Sequence, residues 1–326
     1  MTSPQQPFYL YRLPSLALEE IFKIMEVQEK LHLSLCSTGS KMIVTFFCKS
    51  KHLYQVCFHF RGDSFQFSIT AQGSKFSPTN AQQICIWKSL RLLRGFKKTT
   101  VAWTRFENDA KNLLEFVTEV FHKPILHLDV SNRRHTFVDG FLQKVNNLGL
   151  EISRLSVSSS QSEDEIVQST LDYCTSAREV IIDCQTTSRF YYQPKKLNRS
   201  TGPLTLDRLR ITNSKWVTTW HLVNLFMNSK RMTLLDCNSK NLELGVFVKK
   251  WIDSKSPIEF AELQCYDQSL TLAGIMRGLK STVLPQVTVD GRLLNHPSYL
   301  VEQRATGKKA VVYWHRFITL SVDFEL

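Results

Sequence analysis

Ile125-Leu126-His127-Leu128-Asp129-Val130-Ser131-Asn132 is followed, after a stretch of helical spacing over residues 137–148, by Ser153-Arg154-Leu155-Ser156-Val157. Both short runs alternate apolar and polar residues as a half-buried strand does, whereas the segment between them carries the 3.6-residue period of a helix. Strand, helix and strand joined by short links require parallel strands and a right-handed crossover. The unit recurs. Comparable apolar runs stand at residues 99–103, 180–183, 206–211, 232–236, 260–264 and 286–289, with helical patterns at 106–121, 163–175, 216–227, 242–252 and 268–277. Their centres are spaced by roughly 25 to 29 residues, the period at which a strand-plus-helix unit stacks into a solenoid like that of leucine-rich repeats. Leu128-Asp129-Val130-Ser131-Asn132 and Leu209-Arg210-Ile211-Thr212-Asn213 end on Asn, which hydrogen-bonds turning backbone.

The expected fold is therefore α/β: an irregular βα solenoid behind a helical N-terminus, with a conventional open α/β sheet as the alternative. The pleat then assigns faces. With Leu128, Val130, Leu155, Val157, Val180, Ile182, Leu209 and Ile211 turned to the core, His127, Asp129, Ser156, Asp183, Arg208, Arg210 and Asp236 become candidates for an open face that holds a partner. One interval departs from the repeat. Over residues 185–204 the helix gives way to a stretch rich in turn formers, bases and aromatics, so Phe190, Tyr191 and Tyr192 are further candidate anchors, set against the plain expectation that such an insertion is mobile.

Ahead of the repeats, Leu18, Ile21, Phe22, Ile24 and Met25 share one broad helical face behind Pro14, which suits a first helical turn. Beyond a polar break at residues 26–30, Leu31, Leu35, Met42, Ile43 and Phe46 resume the spacing. So few residues cannot enclose a core of their own, so a partner surface is implied. Between the helices and the repeats, residues 53–60 and 65–70 alternate around Arg61-Gly62-Asp63-Ser64, the pattern of a β-hairpin. Arg61-Gly62-Asp63 spells an adhesion tripeptide, but it is read here as the turn alone.

Composition narrows the classes. The 326 residues, 43% hydrophobic and 21% charged, are those of an ordinary globular chain. The net charge of +12 admits nucleic acid as a partner, and a basic repeat protein binding nucleic acid is the alternative function. The basic residues nevertheless fall in scattered pairs mixed with acids, such as Lys97-Lys98, Arg133-Arg134, Lys249-Lys250 and Lys308-Lys309, which argues for a solvated surface. Eight cysteines lie far apart and are expected to be reduced, with Cys36, Cys57, Cys85 and Cys265 sitting among apolar neighbours as small buried hydrophobes do. No signal peptide or membrane span is legible, and the expectation is a cytoplasmic or nuclear protein. No phosphate loop, zinc motif or nucleophile elbow occurs. His122 and His127 are the nearest approach to metal spacing and lack further ligands. Cys184, Cys237 and Cys265 fall at strand ends as packing residues. No catalytic residue, metal or cofactor is expected.

Leu13-Pro14, Ile21-Phe22, Met25, Leu31 and Leu33-Ser34-Leu35-Cys36-Ser37 resemble the F-box, in the form found in the large nematode families of F-box proteins. Trp216-Val217-Thr218, His221-Leu222-Val223, residues 242–247, Trp251-Ile252 and residues 304–311 are similar to the F-box-associated domain (type 2) of those families. The resemblance implies an F-box at residues 8–50 and a substrate-recognition domain over 51–326. It also implies a non-catalytic role, with Leu13, Pro14, Ile21, Phe22, Met25, Leu31 and Leu35 docking a Skp-type adaptor, and through it a cullin ubiquitin ligase, while the remainder holds an unknown protein substrate.

Overall fold

The computed structural model describes residues 10–49, 54–62, 64–71, 106–174, 177–194, 203–265, 270–314 and 317–325. The strand expected at 99–103 and Cys85 lie outside them, as do residues 195–202 of the 185–204 insertion. The chain divides into two compact units, the first Met1–His59, Asp63–His127 and Asn147–Glu151, the second Phe60–Gly62, Leu128–Asn146 and Ile152–Leu326.

In the first unit three short helices, α1 (Ser15–Ile24), α2 (Val27–Cys36) and α3 (Thr38–Phe47), precede strands β1 (Tyr54–Arg61) and β2 (Ser64–Ala71) and helix α4 (Phe106–Val120). The polar residues expected to break the helical pattern open α2 instead. Glu26 and Glu29 form a reciprocal cap there, the Glu29 carboxylate accepting the Glu26 N–H at 2.8 Å, which satisfies donors that a helix start leaves unpaired. Ser37 caps α3 by accepting the Ser40 N–H at 3.0 Å. Phe22, Leu31 and Val44 are fully buried between the helices, and Phe22 stacks on Phe47 with ring centroids 4.6 Å apart. α3 is tied to the rest of the unit by a Lys41–Glu119 ion pair and by a hydrogen bond between His122 Nε2 and the Thr45 carbonyl at 3.1 Å.

The second unit is built on a large mixed sheet. Strands β4 (Ile152–Ser162), β5 (Ala177–Gln185), β6 (Arg208–Ile211), β7 (Arg231–Cys237) and β8 (Phe260–Cys265) lie side by side in chain order, each parallel to the last. Helices α5 (His135–Asn147) and α6 (Asp164–Tyr173) flank β4 in sequence, and α7 (Thr219–His221), running into a π-helical turn at Leu222–Phe226, precedes β7. α8 (Leu244–Asp253) and the short α9 (Leu272–Met276) follow. The sheet core is one-sided across these strands. Leu155, Val157, Val180, Ile182, Leu209, Ile211, Met232, Leu234, Ala261 and Leu263 are buried, while the alternate positions reach solvent in part or fully, as in a sheet covered on one face.

Past β8 the repeat gives way. Four further strands extend the sheet in the order β14 (Ile318–Ser321), β13 (Lys309–Trp314), β12 (Ser298–Glu302) and β9 (Thr282–Leu284), all antiparallel. The run at 286–289, expected as a further repeat strand, is instead β10 (Val287–Val289). It is central in a separate antiparallel sheet with β11 (Arg292–Leu294) and β15 (Phe324–Glu325). Three residues are too few to carry a crossover helix behind them, and positive φ at Asp290 and Gly291 turns the chain back at once. Val287, Val289 and Leu294 of this small sheet pack on Val311 and Tyr313 of β13.

Candidate docking surfaces

The N-terminal helices present an uneven apolar surface. Leu16 is 75% exposed, Ile24 81%, Met42 69% and Phe46 59%, values that large apolar side chains adopt only where little of their own chain covers them. Of the residues expected to dock an adaptor, Pro14 is exposed and Leu13, Ile21, Met25 and Leu35 are half-buried. Phe22 and Leu31 correct the expectation, being 3% and 0% exposed. They hold the helices together and offer a partner nothing. The four exposed side chains were missing from the candidate set because helical spacing shows an apolar stripe without showing which edge of it the neighbouring helices cover. Cys36, expected buried, is exposed.

The second surface is the solvent-facing side of β4 to β8. Strand register aligns its side chains in rows. One row runs Arg154, Glu179, Arg208, Arg231, Phe260, and the next runs Ser156, Ile181, Arg210, Thr233, Glu262. Glu179 sits between two arginines, 3.7 Å from Arg154 and 3.5 Å from Arg208. Arg231 lies over the Phe260 ring at 5.2 Å. Burial holds the Glu262 carboxyl above its usual range, opposed by the charge of Arg210. On β14 the same face is closed, since Ser321 and Thr319, the register partners of Phe260 and Glu262, are buried. The open stretch therefore ends at β8.

Arg208 and Arg210 fall on this face as expected. Asp183 lies at its far end, exposed and accepting a hydrogen bond from Thr212 Oγ1. Asp236 is turned outward by a break in the β7 register rather than by the pleat, with positive φ and an ion pair to Lys215 at 3.1 Å. Asp129 is half-buried on β3 (Ile125–Ser131). His127, in the first unit, receives a hydrogen bond from the Gln55 amide at 2.7 Å. Among the described residues no group of three His, Cys, Asp or Glu side chains is placed to hold a metal ion. Burial pushes the Cys174 and Cys184 thiols up to about 12, so neither is a nucleophile at neutral pH.

The described half of the 185–204 insertion is packed, which corrects the expectation of aromatic anchors free to meet a partner. Tyr192 is buried, its hydroxyl donating to Asp172 at 3.3 Å, and its carbonyl accepts from His221 Nε2 at 3.0 Å. Phe190 meets Trp216 edge-on at 5.4 Å. Only Tyr191 remains outward, 48% exposed. The Thr218 N–H donates to His221 Nδ1 at 3.1 Å, so the ring is the neutral tautomer with its proton on Nε2. Trp216, His221 and Trp251, which carry the C-terminal resemblance, are all buried.

Three helices, with exposed apolar side chains on α1 and α3, thus lie early in the chain, and the α/β strands that follow leave one face of their sheet open. A family model for the F-box domain matches residues 10–52, and the chain carries an F-box domain there, a module that in general docks on the Skp adaptor of cullin-based ubiquitin ligases. No curated protein and no solved structure matches the chain. Among the described residues no helix is long and apolar enough to cross a membrane.

Proposed function

We infer that this chain is a substrate-recognition subunit of a Skp–cullin–F-box ubiquitin ligase. The observation that carries the reading is the F-box match at residues 10–52 on helices whose Leu16, Ile24, Met42 and Phe46 stand exposed. Those four side chains, with Leu13, Pro14, Ile21, Met25 and Leu35 beside them in sequence, form the adaptor contact, and the second unit holds the protein substrate on the open face of β4 to β8. The role is non-catalytic: holding both partners raises the effective concentration of substrate lysines at the ubiquitin-charged enzyme. The chain-ordered parallel strands and the one-sided core support a solenoid related to leucine-rich repeats for β4 to β8, and the reading of this part as an F-box-associated domain of the nematode type rests on the sequence resemblance alone, Trp216, His221 and Trp251 among its residues. Affinity purification of the tagged chain from its own cells, read by mass spectrometry, should recover a Skp-type adaptor, a cullin and a further protein together. Recovery of neither adaptor nor cullin would overturn the reading.

A further inference from the structure

We propose that the open face binds an extended acidic segment of the partner, with two carboxylates one residue apart set against Arg208 and Arg210, an assignment that rests on the second unit being the substrate-holding half.

The argument is one of charge in register. Arg208 and Arg231 are direct neighbours on adjacent strands, roughly 4.8 Å apart along the hydrogen-bonding direction, and Arg210 stands two residues further along β6, roughly 6.6 Å away on the same face. Three arginine side chains rise from two strands on this one face, Arg208 reaching Glu179 on β5 and Arg231 lying over the Phe260 ring on β8. Compensation of their charge is partial: Glu179 is shared between Arg208 and Arg154, and Glu262, which feels the charge of Arg210, stands on β8, across Thr233 on β7, with no ion pair between the two. Arg208 keeps 53% of its side chain exposed while paired with Glu179, so its remaining donors face solvent. Guanidinium groups bind carboxylates through two parallel hydrogen bonds, a geometry that lysines do not offer.

The spacing selects the ligand. In an extended peptide alternate side chains share one side and stand roughly 6.6 to 7 Å apart, which matches Arg208 and Arg210 when the peptide lies along β6. Arg231 then flanks the first carboxylate, and half-exposed Ile181 beside Arg210 gives the segment an apolar edge. The interleaved carboxylates of Glu179 and Glu262 would repel the continuous phosphate line of a nucleic acid but leave room for two discrete acids.

Binding is measured on the purified full-length chain with three labelled peptides that differ only in the alternating pair: Glu-x-Glu, phosphoserine-x-phosphoserine and Lys-x-Lys. A single-stranded oligonucleotide is the fourth probe. The Glu-x-Glu peptide should bind the parent, weaken as salt rises, and bind about tenfold or more weaker to the Arg208→Glu, Arg210→Glu double variant, a loss of about 1.4 kcal/mol or more. A Lys249→Glu, Arg277→Glu variant, altered at exposed cations away from this face, should bind as the parent does. Tighter binding of the phosphoserine peptide with the same dependence on Arg208 and Arg210 supports the assignment with phosphate as the anion. Absence of binding by both acidic peptides, equal loss in the two variants, or preference for the oligonucleotide overturns it. Adaptor co-purification of the Arg208→Glu, Arg210→Glu variant is scored separately, so a chain that fails to take the adaptor contradicts the ligase reading without deciding what this face binds.

Discussion

Phe22 and Phe46 read alike in the sequence, each an aromatic at helical spacing among aliphatics, and the fold gives them opposite tasks. Phe22 is 3% exposed and stacked on Phe47, whereas Phe46 is 59% exposed under Lys49. Truncation should separate the two roles. Phe22→Ala is expected to cost about 3 to 5 kcal/mol and Leu31→Ala about 2 to 5 kcal/mol in stability, as large-to-small changes in a packed core do, while Met42→Ser should stay within about 0.5 kcal/mol. Denaturant midpoints of the purified variants check this, and a core-like loss at Met42 would show that something covers it. His221 carries a second expectation. Burial lowers its pKa below 6.5, opposed by its hydrogen bond to the Tyr192 carbonyl. The unfolded chain therefore takes up the proton first as pH falls, so the contribution of this group is full above about 6.5, shrinks as pH drops toward the folded value, and is level below it. Melting temperatures between neutral and mildly acidic pH should fall less in His221→Gln than in the parent. An unchanged slope would mean that other groups set the acid sensitivity.

At the scale of elements the strand–helix alternation was largely legible, because both periods are imposed by burial and burial is written in residue type. β3 to β8 stand where apolar alternation places them, with α4 ahead of them and α5, α6 and α8 between them. What pattern does not encode is the partner of a strand. Val287 and Val289 alternate as a repeat strand would, yet β10 leaves the main sheet, because its neighbours in space come from the hairpin after it and from the C-terminus. The insertion was misread for the same reason: Tyr192 is fixed by Asp172 and His221, 20 and 29 positions away. One element contact makes a sharp expectation. A Cβ on Gly245 in α8 would stand 2.9 Å from the Ile275 carbonyl oxygen of α9, a backbone atom that can yield only by moving its helix. Gly245→Ala should therefore destabilise by about 1 to 3 kcal/mol despite the better helix propensity of alanine. A denaturant midpoint at or above that of the parent would contradict the close approach.

For the molecule as a whole, the net charge of +12 was uninformative until the register sorted it. The arginines of the open face share two strand rows with Glu179 and Glu262, an order invisible in a sequence where register partners on neighbouring strands lie more than twenty positions apart. The proposed adaptor surface was half legible: the F-box pattern located the module, but packing decided which of its apolar residues remain outside. The central claim is that this module docks a Skp-type adaptor through exposed side chains on α1 and α3. It is tested most directly by co-purifying the adaptor with the parent chain and with an Ile24→Asp, Met42→Asp double variant, whose thermal unfolding is recorded alongside. The account predicts that the variant unfolds as the parent does and retains no adaptor, since truncating central interface residues commonly costs about 2 kcal/mol or more each. Stoichiometric adaptor on a folded variant would contradict it.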